Sequence, residues 1–237
     1  SSSEFKITTE STGETLENFT LQPNDLIIAD RAYTTLTGIE LCRTAGADCV
    51  MRLRNKAFNL YDKDGNVLLL TEDILKNVGT ECQDFIVYYK AKNKEMKQIR
   101  ICAVRKTEEE ISAEQKKICQ TESRKQIKIT EDTKFSHNYF IVATSLGEEF
   151  SGEEIMSIYR LRWQVEMVFK RFKSILGMGS MPTKTAESGE TWLNCKMLIA
   201  LIIEKMLSSV DFSPCGHNKK FLERNENTLS FDFGMLF

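Results

Sequence analysis

The sequence predicts an α/β fold in which a mixed sheet is flanked by helices. An apolar run at Leu26–Ala29 precedes a helical pattern and a second apolar stretch, which together form a β–α–β unit. From residue 57 to 146 short strand patterns alternate with turns, as is typical of antiparallel sheet. The last third of the chain, from Gly152, has the 3.6-residue apolar period of helices. These three observations favour one α/β fold with a β-rich interruption.

The β–α–β unit occupies residues 26–54. The continuous apolar run that ends at Asp30 predicts a strand buried on both faces. A helix is expected from Thr35 to Ala45, with Gly46 as its C-terminal stop, and a second strand from Cys49 to Arg54. Such a connection predicts parallel pairing of the two strands.

The segment 57–146 is expected to form antiparallel hairpins beside the parallel sheet, without continuing it, and to carry one surface helix. Asp62–Gly65 reads as the turn of a first hairpin, and residues 85–90 and 98–104 as the strands of a second. The charged stretch Thr107–Lys125 predicts the helix, and Tyr139–Thr144 a returning strand. Two shorter strands are expected upstream, at residues 5–8 and 17–21.

Composition sets limits on function. With a net charge of −2, the chain is not a uniformly basic nucleic-acid binder, although local basic patches remain compatible with DNA. Its seven cysteines form no CxxC pair and predict reduced thiols in a cytosolic protein. No apolar run approaches the roughly 18 residues that span a bilayer, so we expect a cytoplasmic protein without a membrane role.

One predicted helix, from Gly152 to Leu176, carries an unusual stripe of polar side chains. At 100° per residue its members share an arc of about 60° that borders the apolar face. They are Tyr159, Arg162, Glu166 and Lys173. A single carboxylate surrounded by cations is suited to a site in which the carboxylate binds a metal ion and the cations bind phosphates. A charged helix edge with Arg162–Glu166 and Glu166–Lys170 pairs is the alternative.

The spacing Tyr-x2-Arg-x3-Glu-x6-Lys resembles the YREK signature of insertion-sequence-four transposases, and average residue frequencies would produce it by chance in about one such chain in a thousand. The stretch that begins at Asp30 and ends at Tyr33 resembles the second aspartate motif of these enzymes, with Ala32 where the family more often has glycine. The resemblance covers roughly residues 5–209 and implies an RNase H-like fold with a DDE metal site. The upstream acidic residues do not end an apolar strand, so the first aspartate is expected to be missing from this sequence.

This resemblance implies four segments: 1–56 as the first part of the RNase H-like core, 57–146 as the insertion, 147–209 as the helical part with the catalytic glutamate, and 210–237 as a tail. Asp30 and Glu166 would converge to bind Mg²⁺ or Mn²⁺, two ions in the complete enzyme. Tyr159, Arg162, Lys173 and Lys170 would contact DNA. Arg52 and Arg54 alternate on the second strand and would either contact phosphate or form a simple exposed strand face.

The implied function is metal-dependent cleavage and strand transfer at transposon ends by a bacterial enzyme, with this fragment inactive alone. Its partners would be double-stranded DNA and a second copy on paired ends, with association to the nucleoid when DNA is bound. Two alternatives remain open. One is another RNase H-fold metal nuclease, such as a resolvase, and the other is a non-catalytic DNA-binding remnant of a transposase.

Overall fold

The computed structural model describes residues 5–6, 15–175, 177, 182, 185–208 and 235–236. The chain divides into two compact units. The larger unit comprises residues 9–162, and the smaller unit comprises residues 1–8 and 163–237. The predicted tail, residues 210–237, lies outside the described residues except at 235–236. The four-segment division of the chain stays a prediction.

The larger unit is built on a seven-stranded sheet. Its strands are β2 (Leu26–Ala29), β3 (Asp48–Arg52), β4 (Leu60–Tyr61), β5 (Val67–Leu68), β6 (Gln83–Lys90), β7 (Met96–Arg105) and β8 (Tyr139–Thr144). They are arranged in the order β2-β3-β8-β7-β6-β4-β5. Strands β2 and β3 are parallel, whereas every other pair is antiparallel. The prediction of a mixed α/β sheet is confirmed.

The β–α–β unit forms as predicted. Helix α1 (Leu36–Ala45) begins after Thr35, whose hydroxyl accepts a hydrogen bond from the Gly38 amide. It ends at Gly46, whose φ of 71° is a left-handed conformation that glycine adopts without strain. The prediction that the first strand is buried on both faces is wrong. Three of the four β2 residues are only half-buried, because β2 is the outermost strand among those described.

The strands of segment 57–146 continue the parallel sheet, and the prediction that they would pack beside it is wrong. The β8 strand pairs with β3, with Val50 opposite Thr144 and Arg52 opposite Val142. The hairpins themselves are confirmed. Asp62 fixes the first turn by accepting hydrogen bonds from the amides of Asp64 and Asn66.

Segment 57–146 also contains more helix than the single one predicted. The charged helix is confirmed as α2 (Glu108–Lys125), and a second short helix, α3 (Glu131–Ser136), follows it. One π-helical turn spans Leu70–Ile74 and a 3₁₀ turn spans Leu75–Asn77. These segments are too short to show an apolar period in the sequence, so they cannot be distinguished there from loops. Upstream, the prediction of a strand over 17–21 is wrong, because Leu16–Asn18 forms a 3₁₀ turn and residues 19–21 form no strand.

Two apolar faces of the sheet are covered by different helices. Because side chains alternate along a strand, Cys49 and Met51 join the cluster that includes Ile39 and Cys42 of α1. Val50 joins the opposite cluster, which includes Ile155 of helix α4 (Gly152–Arg160). The α1 and α4 helices therefore cover opposite faces of the sheet.

The single long helix predicted from Gly152 to Leu176 is two helices. Helix α4 ends at Arg160, and α5 (Arg162–Ile175) begins after Leu161. The Leu161 amide donates a hydrogen bond to the Ile158 carbonyl, three residues earlier, and so forms a tighter turn than that of an α-helix. Leu161 itself keeps right-handed helical dihedrals, with φ −58° and ψ −27°.

The smaller unit contains most of α5, the predicted last helix as α6 (Ala186–Ser208), and a two-stranded parallel sheet. This sheet pairs β1 (Phe5–Lys6) with β9 (Met235–Leu236). Among the described residues, no helix is long and apolar enough to cross a membrane.

Candidate active site

Asp30 lies directly after β2, at the carboxyl edge of the parallel strands. The Arg31 amide donates a hydrogen bond of 2.7 Å to Asp30 Oδ1. The fully buried hydroxyl of Thr34 donates to the backbone oxygens of Arg52, at 2.8 Å, and of Asp30, at 3.2 Å. This hydroxyl ties the end of β3 to the end of β2, so the Asp30 backbone has a fixed position. Open α/β sheets place their sites at this edge.

Two of the predicted site residues contact Asp30. The Tyr159 hydroxyl lies 3.5 Å from Asp30 Oδ1, a long hydrogen bond. Arg162 Nη1 lies 4.0 Å from Asp30 Oδ2, and the Arg162 guanidinium lies 5.7 Å from the Tyr159 ring centroid. The Asp30 side chain remains 46% exposed, so its carboxylate is accessible from solvent.

Tyr159 reaches this site from the apolar face that α4 covers. It is 4% exposed, and its ring packs edge-on against Phe140 at 5.3 Å between centroids. Burial raises the pKa of the phenol, and the Asp30 charge adds to this while Arg162 opposes it. The phenol is therefore protonated at neutral pH and able to donate to Asp30. The buried ring makes Tyr159 a support for the carboxylate, a role that the sequence did not predict.

Arg52 and Arg54 have different environments. Arg52 is half-buried at the end of β3, with its guanidinium 4.8 Å from the centroid of the Phe140 ring. Burial and the neighbouring charge of Arg31 lower the pKa of Arg52, and Asp30 and Tyr159 raise it. Arg54 is exposed and lies beyond the end of β3. The two do not share a strand face, because β3 ends at Arg52.

The remaining predicted residues lie on α5 in the smaller unit. Glu166 is half-buried, Lys170 is exposed, and Lys173 lies in the same helix with its side chain outside the described residues. Asp30 belongs to the larger unit and Glu166 to the smaller one, so their convergence stays a prediction.

Sequence reasoning missed two basic residues near this edge, Arg31 and Lys106. Each is placed just after a strand, Arg31 after Asp30 and Lys106 after β7. A search for cations within two residues of the end of a predicted strand could have found both.

A divalent cation is compatible with the chemistry of Asp30. Carboxylate oxygen is the ligand that Mg²⁺ prefers, and the exposed Asp30 carboxylate provides it. Over the described part of the chain, no group of three or more His, Cys, Asp or Glu side chains is positioned to hold a metal ion. The exposed Asp30 carboxylate is therefore suited to be one ligand of a divalent cation.

Comparison with known proteins identifies the family. The model of the transposase DDE domain matches residues 8–202, most of the chain. The chain belongs to the transposase DDE domain family. This DDE domain is 26% identical over 230 residues to the putative transposase InsL for insertion sequence element IS186A of Escherichia coli K12, covering 92% of the chain and 61% of that relative. It is 30% identical over 200 residues to the transposase for insertion sequence element IS231C of Bacillus thuringiensis subsp. berliner, covering 78% of the chain and 41% of that relative. The DDE domain thus spans less than two thirds of the length of these relatives.

Proposed function

We propose that this DDE domain is the catalytic domain of a DNA transposase of the insertion-sequence-four type, on an RNase H-like core. The observation that carries the proposal is the approach of Tyr159 and Arg162 to Asp30, across 129 residues of sequence in the case of Tyr159. These are the first two residues of the YREK pattern and the aspartate of the second motif. If the polar stripe were only a charged helix edge held by ion pairs within the helix, Tyr159 and Arg162 would not need to lie beside the Asp30 carboxylate.

The reaction we propose is cleavage of a phosphodiester bond at each transposon end, followed by strand transfer. Water attacks the phosphorus and releases a 3′ hydroxyl, and this hydroxyl then attacks a second phosphodiester and displaces its 3′ oxygen. A bound pair of Mg²⁺ or Mn²⁺ ions would supply the activated nucleophile and stabilise the leaving oxygen. Asp30 and Glu166 would hold these ions together with a further carboxylate.

The basic residues at the site would hold the DNA backbone. The guanidinium groups of Arg162 and Arg52 lie near Asp30 and can donate paired hydrogen bonds to a phosphate. Tyr159 would orient Asp30 through its hydroxyl. Arg54, Lys170 and Lys173 would add contacts farther along the duplex.

The partner would be double-stranded DNA, both the transposon ends and the target, bound by a homodimer in the bacterial cytoplasm and nucleoid. The names of the relatives support the DNA partner alone, since each is a transposase, or putative transposase, of an insertion sequence. Paired ends require two active sites, which a dimer supplies.

The test is cleavage by the full-length gene product of a labelled duplex taken from the end of the element that encodes it, with Mg²⁺. Asp30→Asn and Glu166→Gln should each lower the cleavage rate by about a thousandfold, since a metal site contributes several kcal/mol to the transition state. Both should keep their affinity for the duplex, because a carboxylate adds no attraction to phosphate. Asp64→Asn, the same change at an exposed hairpin turn, is the control and should cleave normally. Normal cleavage by Asp30→Asn would disprove the proposed role of this site.

A further inference from the structure

The carboxyl ends of three strands meet at one edge of the sheet, and each carries a basic residue. The β2 and β3 strands are parallel, and β8 lies antiparallel between β3 and β7, so β7 runs in the direction of β3. Arg31 follows β2, Arg52 ends β3 and Lys106 follows β7. We call these three residues the basic row.

Lys106 is held in place by the loop that precedes β8. Its ammonium donates a hydrogen bond of 2.7 Å to the carbonyl oxygen of His137 and lies 3.8 Å from Glu114 Oε2. Its side chain is only 10% exposed. The Glu114 carboxylate also contacts His137 Nδ1 at 3.1 Å. Lys106 therefore has a fixed direction that a freely exposed lysine lacks.

The three charges of the basic row act on one another. Burial lowers the pKa of Lys106, and the charges of Arg52 and Arg31 lower it further, while Glu114 raises it. Arg52 is likewise affected by Arg31. Three cations at one end of the sheet repel one another, and the carboxylates of Glu114, Glu110 and Asp30 oppose that repulsion.

We infer that the basic row is a binding surface for the sugar–phosphate backbone of DNA and that Lys106 is a phosphate-binding residue, extending the DNA path from Asp30 across the sheet edge to β7. This inference rests on the proposed function. A lysine ammonium of fixed direction acts as a point charge toward a phosphate. Glu114 opposes this attraction, because its negative charge lies beside the ammonium.

This arrangement predicts opposite effects of two substitutions in one ion pair. Lys106→Met keeps the apolar stem and removes the charge, so DNA affinity should fall. Glu114→Gln removes the opposing charge, so affinity should rise by about threefold. A purely structural Lys106–Glu114 pair would instead give losses in both variants.

The Lys97–Glu40 pair is the matched control. It has the same charges at 2.8 Å, both partly buried, and lies near the amino end of β7, about 30 Å along the strand from Lys106. Lys97→Met and Glu40→Gln should leave DNA affinity unchanged. Lys106→Arg, which keeps the charge, should bind within about twofold of wild type and separates charge from folding effects.

The experiment measures binding of the full-length gene product to a fluorescein-labelled 30-base-pair duplex of mixed sequence, by anisotropy at 50–200 mM KCl. Each lost phosphate contact should reduce the slope of log affinity against log salt by about 0.9 and shrink the change over this range by about threefold. A salt slope that is lower by this amount in Lys106→Met, together with a higher DNA affinity in Glu114→Gln, supports the inference. An unchanged slope in Lys106→Met beside a reduced slope in Arg52→Met overturns the inference alone. Absence of salt-dependent binding by the wild type overturns the proposed function as well.

Discussion

Replacing Arg100 by methionine should destabilise the larger unit at the point where α4 is anchored. Arg100 is 7% exposed on β7, and its Nη1 donates hydrogen bonds of 2.6 Å to the carbonyl oxygens of Gly147 and Phe150. Its Nη2 pairs with the carboxylate of Asp84 on β6. The two carbonyls belong to the loop between β8 and α4, so one buried cation connects two strands to the start of this helix.

The magnitude follows from these contacts. Hydrogen bonds of a charged donor contribute about 1.5–3 kcal/mol each, and the two carbonyls lose theirs in Arg100→Met. Asp84 is 33% exposed and can be rehydrated, so its share is reduced. We expect a loss of about 3–5 kcal/mol in the free energy of unfolding and a melting temperature about 10 °C lower.

The assay is thermal unfolding followed by circular dichroism, with Arg105→Met as the control. Arg105 is on the same strand, is 43% exposed and pairs with Glu108 at 2.8 Å. This surface pair should contribute less than about 1 kcal/mol. Equal losses in Arg100→Met and Arg105→Met would refute the conclusion that the buried contacts anchor α4.

Two further predictions concern charge. Burial would raise the pKa of Glu40, but hydrogen bonds from Lys97 and Tyr89 outweigh it and leave the pKa below its ordinary value. Because the pKa of Glu40 is lower in the folded state, its ionised carboxylate stabilises the fold at pH values above the pKa of the unfolded state. This stabilisation is lost as the pH falls through the pKa of the folded state. Urea unfolding should therefore show Glu40→Gln less stable by about 1–3 kcal/mol at pH 7, and the difference should shrink as the pH falls below the ordinary pKa of glutamate. Arg162→Met should lower the salt slope of DNA binding by about 0.9, whereas Arg160→Met, at the exposed end of α4, should not; equal slopes would argue against a phosphate contact at Arg162.

Local signals made the β–α–β unit predictable from sequence. Thr35 and Gly46 are strong helix boundaries, and the apolar run before Asp30 has the length of a strand. The placement of Asp30 at a sheet edge followed from these signals alone. The pairing partner of β3 did not, because the sequence contains no local mark of which strand lies beside another across a long connection.

The contact between Tyr159 and Asp30 was only partly predictable. The pattern placed both residues in one site, but a continuous helix would have oriented Tyr159 and Arg162 as members of one stripe. The structure instead places the two residues in separate helices on either side of Leu161, and no glycine or proline marks this boundary in the sequence. The burial of the Tyr159 ring against Phe140 depends on the pairing of β8 with β3, which is a tertiary property.

That same pairing determines the chemistry of the sheet edge. If residues 57–146 packed beside the parallel sheet, the end of β7 would have no fixed relation to Asp30. The antiparallel β8 between β3 and β7 instead gives β2, β3 and β7 the same direction, so Lys106 follows β7 at the same end of the sheet as Asp30 and Arg52, four residues beyond Cys102, which is level with Arg52. Segment 57–146 thus places Lys106 at the same end of the sheet as Asp30 through strand pairing. Strand direction, more than the identity of any single residue, explains why this edge combines a carboxylate with three cations.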